Sequence, residues 1–484
     1  MISKTHGVNR TKIMVFNLLV CCFFINCNSR LSGRMNGTDD LGHLINESQS
    51  GAMPLLFFPD STAEAPGVIF DSAFEDETVI RNGLPWFFGK SKTQRTLTVA
   101  YIGGSITRGT NMYRNQSLNL ITNLFPKSLI RGVNAGVSGT GSDLGACRLN
   151  EQVLRYNPDL IFIEFAVNGA YPQGVEGMIR QIRKFDPSID ICLIYTINGT
   201  QTSAYTQGKI PVNIRNLEKI ADHYRLPSIH MGLAASMMEK NGTLTWKGSH
   251  EDTGGKIIFS GDGIHPFSAG GDLYAQSIVR SLFRLMELKS NRSDGVLPDA
   301  LFADNWENAR MLVPGVGMEM SGKWSTINPI EDDRLRQFAP WFQLLLKTET
   351  PGSSVKFKFK GTHFGIFDVG GPEAGQLTIE VDGRPVRLIG TGETRWIVSE
   401  DDHGTFLLNR FNSYCNNRYR GQYDLVELPY GVHEVTLTNS AEAADKQTIL
   451  GPHQQEDILA NPAKYDQKVI LLGKILINGE LIAQ

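Results

Sequence analysis

The sequence predicts an α/β fold, a parallel sheet between helical layers, followed by a separate β-sandwich. Two observations predict it. Between residues 97 and 285, short apolar runs alternate with segments of helical periodicity, the pattern of a parallel sheet covered by helices. After about residue 290 helical periodicity gives way to short alternating runs separated by turn signals, as in an all-β domain. The length of 484 residues allows two or three domains at roughly 100–200 residues each.

Taken in order, residues 1–27 read as a signal peptide. Lys4, Arg10 and Lys12 precede an apolar run from Ile13 to Ile25, shorter than the roughly 20 residues of a membrane span. Cys27 stands where a bacterial lipoprotein cysteine would stand, although Asn26 before it departs from the usual small residue. Two readings stay open: a lipid anchor at Cys27, or ordinary leader cleavage. Residues 28–94 read as a linker with short strands at Leu55 to Phe58 and Val68 to Phe70.

Residues 95–288 carry the α/β pattern. Strands are expected at Leu97 to Ile102, Leu129 to Asn134, Leu160 to Ala166, Ile189 to Thr196 and Ser228 to Met231. Helices are expected at Ser117 to Phe125, Leu144 to Tyr156, Val175 to Phe185, Val212 to Tyr224 and Ala269 to Leu285, the second and third stopped by Pro158 and Pro187. Ligands of such sheets bind at the carboxyl ends of the strands. Asn291 to Asp299 is polar and reads as a linker. Residues 300–484 show strand alternation at Val355 to Phe359, Leu377 to Val381, Arg384 to Ile389, Gly431 to Thr438 and Lys468 to Ile477. Asp382-Gly383 and Asn478-Gly479 are hairpin signals. The polar stretch Asp445 to Asp466 reads as a loop. Trp306, Trp324 and Trp341 suit the core better than a sugar platform, and Tyr414, Arg418 and Tyr419 are candidates for an interaction surface.

Composition narrows the function classes. With 47 basic and 50 acidic residues, and a formal charge of −3, no basic face points to nucleic acid. Cys147, Cys192 and Cys415 are too few and too scattered for a disulfide framework or a metal cluster. Cys147 and Cys192 suit small core positions. No metal or cofactor is expected, and no transmembrane helix is expected in the mature chain.

Four segments carry chemistry. Ser105 follows a strand and the pair Gly103-Gly104, where a hydroxyl is exposed but needs a base to become a nucleophile. The glycine-dense run from Asn134 to Gly141 leaves backbone N–H groups free to face an oxyanion. Asn168 sits at the end of the strand Leu160 to Ala166, where it could aim an amide at the same point. Asp262 precedes His265 by three residues in a loop shaped by Gly261, Gly263 and Pro266, close enough to orient the imidazole and stabilise its charged form. Each segment alone has an ordinary structural reading as a turn or loop.

Together, and in this order, they resemble the four blocks of the SGNH (GDSL-like) serine hydrolase superfamily. The nucleophile block, usually Gly-Asp-Ser, is here Gly103-Gly104-Ser105. The second block's glycine maps to Gly139. The third, Gly-x-Asn-Asp in many members, keeps Asn168 and has Gly169 in place of the aspartate. The last, Asp-x-x-His-Pro, is matched by Asp262, His265 and Pro266. The resemblance spans about residues 95–285 and implies a flavodoxin-like three-layer α/β/α domain. It implies a triad of Ser105, His265 and Asp262, and an oxyanion hole made by the N–H groups of Ser105 and Gly139 with the Asn168 side chain. It also implies that losing Asp262 costs less than losing Ser105 or His265.

Arg108 and Asn111, just after the serine, are candidate substrate contacts. Glu164 suits a buried partner for a neighbouring loop, and Trp246 with His250 suits either the cleft wall or a surface pair. Exported proteins of this resemblance and architecture point to an esterase removing O-acetyl groups from a carbohydrate, with the β-sandwich as an accessory domain. Three alternatives stay open: an exported O-acyltransferase acting on polysaccharide, a lipase or lysophospholipase, and a glycan-binding protein without catalysis. The expected location is periplasmic, at the cell surface as a lipoprotein, or secreted.

Overall fold

The computed structural model describes residues 55–60, 67–93, 96–109, 112–249, 254–287 and 297–482. Residues 1–27, expected as a signal peptide and containing Cys27, lie outside them, as do Asn111 and His250. The first sheet has seven strands: β1 (Leu56–Phe57), β2 (Thr78–Val79), β3 (Thr96–Gly103), β4 (Leu129–Gly136), β5 (Leu160–Glu164), β6 (Asp190–Ile194) and β7 (Ser228–Ile229). Their order is β1-β4-β3-β5-β6-β7-β2. The five inner strands are parallel, and the two-residue strands β1 and β2 close the edges antiparallel. All five inner strands were expected from sequence. They are almost wholly buried, as parallel strands covered on both faces must be.

Helices Tyr113–Leu124, Ser142–Gln152, Pro172–Phe185, Val212–His223 and Ser268–Glu287 follow the expected segments within a few residues. The first of the parallel strands to be made, β3, lies between β4 and β5. Connections therefore run outward in both directions from it, and the switch point between β3 and β5 is where a doubly wound sheet opens a crevice.

Residues 71–93 are more than a linker. Phe74, Leu84 and Phe87 are buried in the main core, each contributing about 1.5–3 kcal/mol. Glu77 is buried against Arg280, with Oε1 accepting from Nε at 2.6 Å. Residues 68–70 form no strand, contrary to expectation. A small parallel pair, β8 (Leu244–Lys247) with β9 (Ile257–Ser260), precedes the last helix. Its strands were not visible in the sequence.

The C-terminal region is one curled, largely antiparallel sheet of twelve strands built on three long ones, Ser354–Gly370, Arg420–Asn439 and Ile470–Ile482. The first shows why it curls. Val355, Phe357 and Phe359 face an inner cluster while Lys356, Lys358 and Lys360 point away. A bulge between Gly361 and His363 shifts the register and reverses the parity. Phe364 and Ile366 then enter that same cluster, and Phe367 and Val369 turn to the core shared with the α/β domain. That shared core also contains Phe338, Trp341, Phe342, Tyr423 and Leu471.

Two local expectations fail here. Asn478-Gly479 is no hairpin; it lies within a continuous strand at the bulge, where a Cβ at Gly479 would come 2.2 Å from the Lys360 carbonyl oxygen. Asp445 to Asp466 is no loop. It holds three short helices over a cluster of Phe411, Cys415, Leu450, Ile458 and Tyr465. Asp382-Gly383 does form a hairpin turn, both residues at positive φ. Trp306, Trp324 and Trp341 are buried, as are the free thiols Cys147, Cys192 and Cys415.

Candidate active site

The carboxyl ends of β3, β4 and β5 set the floor of the site. Arg148, fully buried, donates from Nη2 to the Gly103 carbonyl at 2.9 Å and from Nη1 to the Ala135 carbonyl. It ties together the ends of the two strands that lead into the serine loop and the glycine loop. Burial without a carboxylate partner lowers its guanidinium to about 9. Glu164, at the end of β5, supports the same floor. Its carboxylate accepts from Thr107 Oγ1 at 3.0 Å and from Thr196 Oγ1. Burial raises its pKa against these hydrogen bonds. Glu164 is thus a buried loop anchor, as the sequence suggested.

Ser105 opens a single helical turn, Ser105–Arg108, with Gly104 as its N-cap. The last of the four segments, Gly261 to Pro266, follows the serine by some 160 residues. It curls back after β9 through a bridge between Ser260 and Pro266. Ser105 Oγ donates to His265 Nε2 at 2.7 Å, and His265 Nδ1–H donates to Asp262 Oδ2 at 2.6 Å. Asp262 Oδ1 accepts from the backbone N–H groups of Ile264 and His265, both at 2.8 Å, and from Ser260 Oγ at 2.9 Å. Partial burial pushes the Asp262 carboxyl up, but these hydrogen bonds, led by that from His265, outweigh it and hold the carboxyl far below its ordinary range. The Asp262 side chain therefore orients the ring and also shapes the loop that carries it. His265 and Asp262 are both open to solvent, their side chains 41% and 54% exposed.

Trp246 braces this loop from below. Its ring stacks on Phe259 at 4.1 Å between centroids, and its Nε1–H donates to the Gly263 carbonyl at 3.0 Å. It is buried, neither in the cleft wall nor on the surface.

Of the donors proposed from sequence, Asn168 packs against Gly104 beside the serine, and Gly139 and Asn168 line one cavity. The Ser105 N–H is at a helix start, where no intrahelical partner exists. Gly139 takes φ +69, a conformation glycine adopts without a Cβ penalty. The Asn168 amide packs on Gly104 so closely that a Cβ there would lie 2.3 Å from Asn168 Oδ1 and 2.7 Å from Nδ2. The two departures from the pattern that the segments resemble thus have local reasons. At Gly104 any side chain would displace Asn168, and Gly169 sits at φ +79, which disfavours an aspartate.

Arg108 lies with its guanidinium carbon 4.5 Å from the centroid of the Trp341 ring. The C-terminal sheet also brings residues that sequence reasoning missed. Tyr423, Thr394 and Arg395 form one wall, and Gly139, Asn168 and Tyr171 the other, of a cavity of about 400 Å³ between the glycine and Asn168 loops and the C-terminal sheet. No sequence signal marks them, because Arg395 and Tyr423 lie 252 and 280 residues from Asp143, in ordinary strand patterns. Among the described residues no group of three His, Cys, Asp or Glu gathers as a metal site would need, and no helix is long and apolar enough to cross a membrane.

No protein-family model matches this chain, and a search of curated proteins by sequence finds no match. Solved structures do resemble it. A two-domain esterase (CEX) described as active on acetylated mannans aligns with 84% of this chain and 99% of its own, at 18% identity and a TM-score of 0.57. The same esterase co-crystallised with mannopentaose gives a TM-score of 0.58 over the same coverage and identity. Axe2, an acetylxylan esterase from Geobacillus stearothermophilus, aligns with 41% of this chain and 97% of its own at 20% identity and a TM-score of 0.29. The likeness to the two-domain esterase extends over both sheets and establishes the fold: a three-layer α/β domain joined to a curled antiparallel β domain.

Proposed function

We propose that this protein is a serine esterase of the SGNH type that removes O-acetyl groups from a carbohydrate. The observation that carries the proposal is the hydrogen-bonded chain from Ser105 through His265 to Asp262, at 2.7 and 2.6 Å. A serine hydroxyl is a weak nucleophile until a base takes its proton. In this reading Ser105 Oγ attacks the ester carbonyl as His265 Nε2 takes the proton. Asp262 holds the ring with Nδ1 protonated and stabilises the imidazolium. The N–H groups of Ser105 and Gly139 and the Asn168 amide hold the oxyanion. His265 then gives its proton to the departing sugar hydroxyl, leaving an acetyl-serine. Water, deprotonated by the same imidazole, attacks this intermediate, releases acetate and restores the serine.

Two features favour hydrolysis of a sugar ester over the alternatives. The openness of the imidazole favours water over a second sugar as the acceptor. The cavity between the Gly139 and Asn168 loops is lined largely by glycine, threonine, asparagine, arginine and tyrosine, with Asp143 and Glu393, which suits a polyhydroxylated alcohol better than a fatty acyl chain. The shared fold of an esterase active on acetylated mannans adds support by analogy only, since one fold hosts many functions. Export to the periplasm, cell surface or medium belongs to the same proposal and rests on the N-terminal leader, as does a lipid anchor at Cys27. Arg108 and Asn111 remain candidate substrate contacts. The test is acetate release from a panel of acetylated polysaccharides. The proposal expects release from at least one of them by the wild type and none by Ser105→Ala. Equal release by both proteins, or none from any acetylated glycan, would refute it.

A further inference from the structure

We infer that Tyr423 and Arg395, both on the C-terminal sheet, are positioning residues for the oxyanion loop, so that this sheet is a working part of the site. The inference rests on the esterase reading above. Gly139 lies in the turn after β4, and the turn is fastened two residues later. The Gly141 N–H donates to Tyr423 Oη at 3.1 Å, and Tyr423 Oη donates in turn to Asp143 Oδ1 at 2.9 Å. Arg395 grips the other oxygen of Asp143, with Nε at 3.0 Å and Nη2 at 2.7 Å.

The same arginine lies flat on Tyr171, 3.6 Å from the ring centroid. Tyr171 follows the loop that carries Asn168, and its carbonyl accepts from Ser142 Oγ at 2.6 Å. One network, buried at Asp143 and Tyr423 and half-exposed at Arg395, therefore joins the Gly139 loop, the Asn168 loop and two strands of the C-terminal sheet.

The network has little slack. Asp143 and Tyr423 are 1% and 4% exposed. A Cβ at Gly141 would meet Asp143 Oδ1 at 2.8 Å and Tyr423 Oη at 3.3 Å. Arg420, on the same strand as Tyr423, places Nη2 2.8 Å from where a Cβ of Gly139 would be. Burial, reinforced by the Asp143 charge, keeps the Tyr423 hydroxyl protonated by raising its pKa well above its ordinary value. It can then accept from Gly141 while donating to Asp143. A preorganised oxyanion donor needs this kind of support, because a displacement of about 1 Å can cost roughly 100-fold in rate.

The test uses the full chain and p-nitrophenyl acetate, an ester too small to need sugar contacts. Active sites are counted by stoichiometric labelling with an organophosphonate. Tyr423→Phe removes only the hydroxyl, and Arg395→Gln provides a second variant if the first fails to fold. For either variant the expected result is a 10- to 100-fold fall in kcat per labelled site, with KM within about threefold and the same pH profile. An unchanged kcat per labelled site would overturn the inference and leave the network a structural one. Loss on acetylated glycan alone, with p-nitrophenyl acetate spared, would also overturn it, making these residues substrate contacts. A wild-type protein that neither turns over nor takes the label would instead sink the esterase reading itself.

Discussion

Gly104 is the most demanding position of the site, because the nucleophile block that it resembles usually carries aspartate there. In Gly104→Ala the new Cβ would lie 2.3 Å from Asn168 Oδ1 and 2.7 Å from Asn168 Cγ and Nδ2. Ordinary contacts begin near 3.4 Å, so the amide must retreat by roughly 1 Å. That displacement alone is worth roughly 100-fold, and complete loss of one oxyanion donor about 10²–10³ in kcat. We therefore expect Gly104→Ala to lower kcat for p-nitrophenyl acetate by about 10²–10³ with KM within threefold. Asn168→Ala should lose a similar amount. Because both changes remove the same donor, the double variant should be little worse than either single one, a coupling that a double-mutant cycle measures directly. If Gly104→Ala kept more than half of the wild-type kcat, or if the two losses multiplied, Asn168 would not be acting where the packing puts it.

Three further predictions follow from the site and its surroundings. Asp262→Asn keeps an acceptor for the loop N–H groups but presents an amide where Asp262 Oδ2 accepts from His265 Nδ1–H; kcat should fall by roughly 10²–10⁴, less than in Ser105→Ala, and a rate within threefold of wild type would contradict the orienting role. Trp246→Phe keeps the stack on Phe259 and removes the hydrogen bond to Gly263, so kcat should drop about 2- to 10-fold at constant KM, whereas a rise in KM alone would place Trp246 against the substrate. Asp190 is raised from 3.8 to about 7 chiefly by burial, although it accepts from the Phe87 N–H at 2.7 Å. A carboxyl raised in the folded state contributes stability that is full below its unfolded pKa and is lost as the pH rises toward 7. The urea midpoint of the wild type should therefore fall more between pH 5 and pH 8 than that of Asp190→Asn; parallel slopes would dismiss the assignment.

How much of this was legible in the sequence depends on the range of the interaction. The five parallel strands and the main helices were readable because each has a local signature: an apolar run, a 3.6-residue period, a proline or glycine stop. The four chemical segments were readable because each is a short loop with a recognisable pattern, although only the fold brings Ser105 and His265, 160 residues apart, within a hydrogen bond. Residues 71–90 were underestimated because their burial depends on distant partners, such as Arg280 for Glu77. The helices within 446–465 were hidden by polar composition; Lys446, buried yet donating to the carbonyls of Pro372 and Tyr465, reads as a surface residue. Asn478-Gly479 misled because the dipeptide that favours a tight turn also suits a bulge where two backbones nearly touch. The Tyr423–Asp143–Arg395 network had no signature at all, since each member is ordinary in its own strand or helix.

The central claim is that Ser105 is a nucleophile activated by His265, and covalent labelling reads this directly. The protein is incubated with a p-nitrophenyl phosphonate, digested, and the modified peptide is located by mass spectrometry. The expected result is one phosphonyl group per chain on Ser105, with labelling slowed at least 100-fold in His265→Ala. A label on another residue, or equal labelling rates in the wild type and His265→Ala, would contradict it.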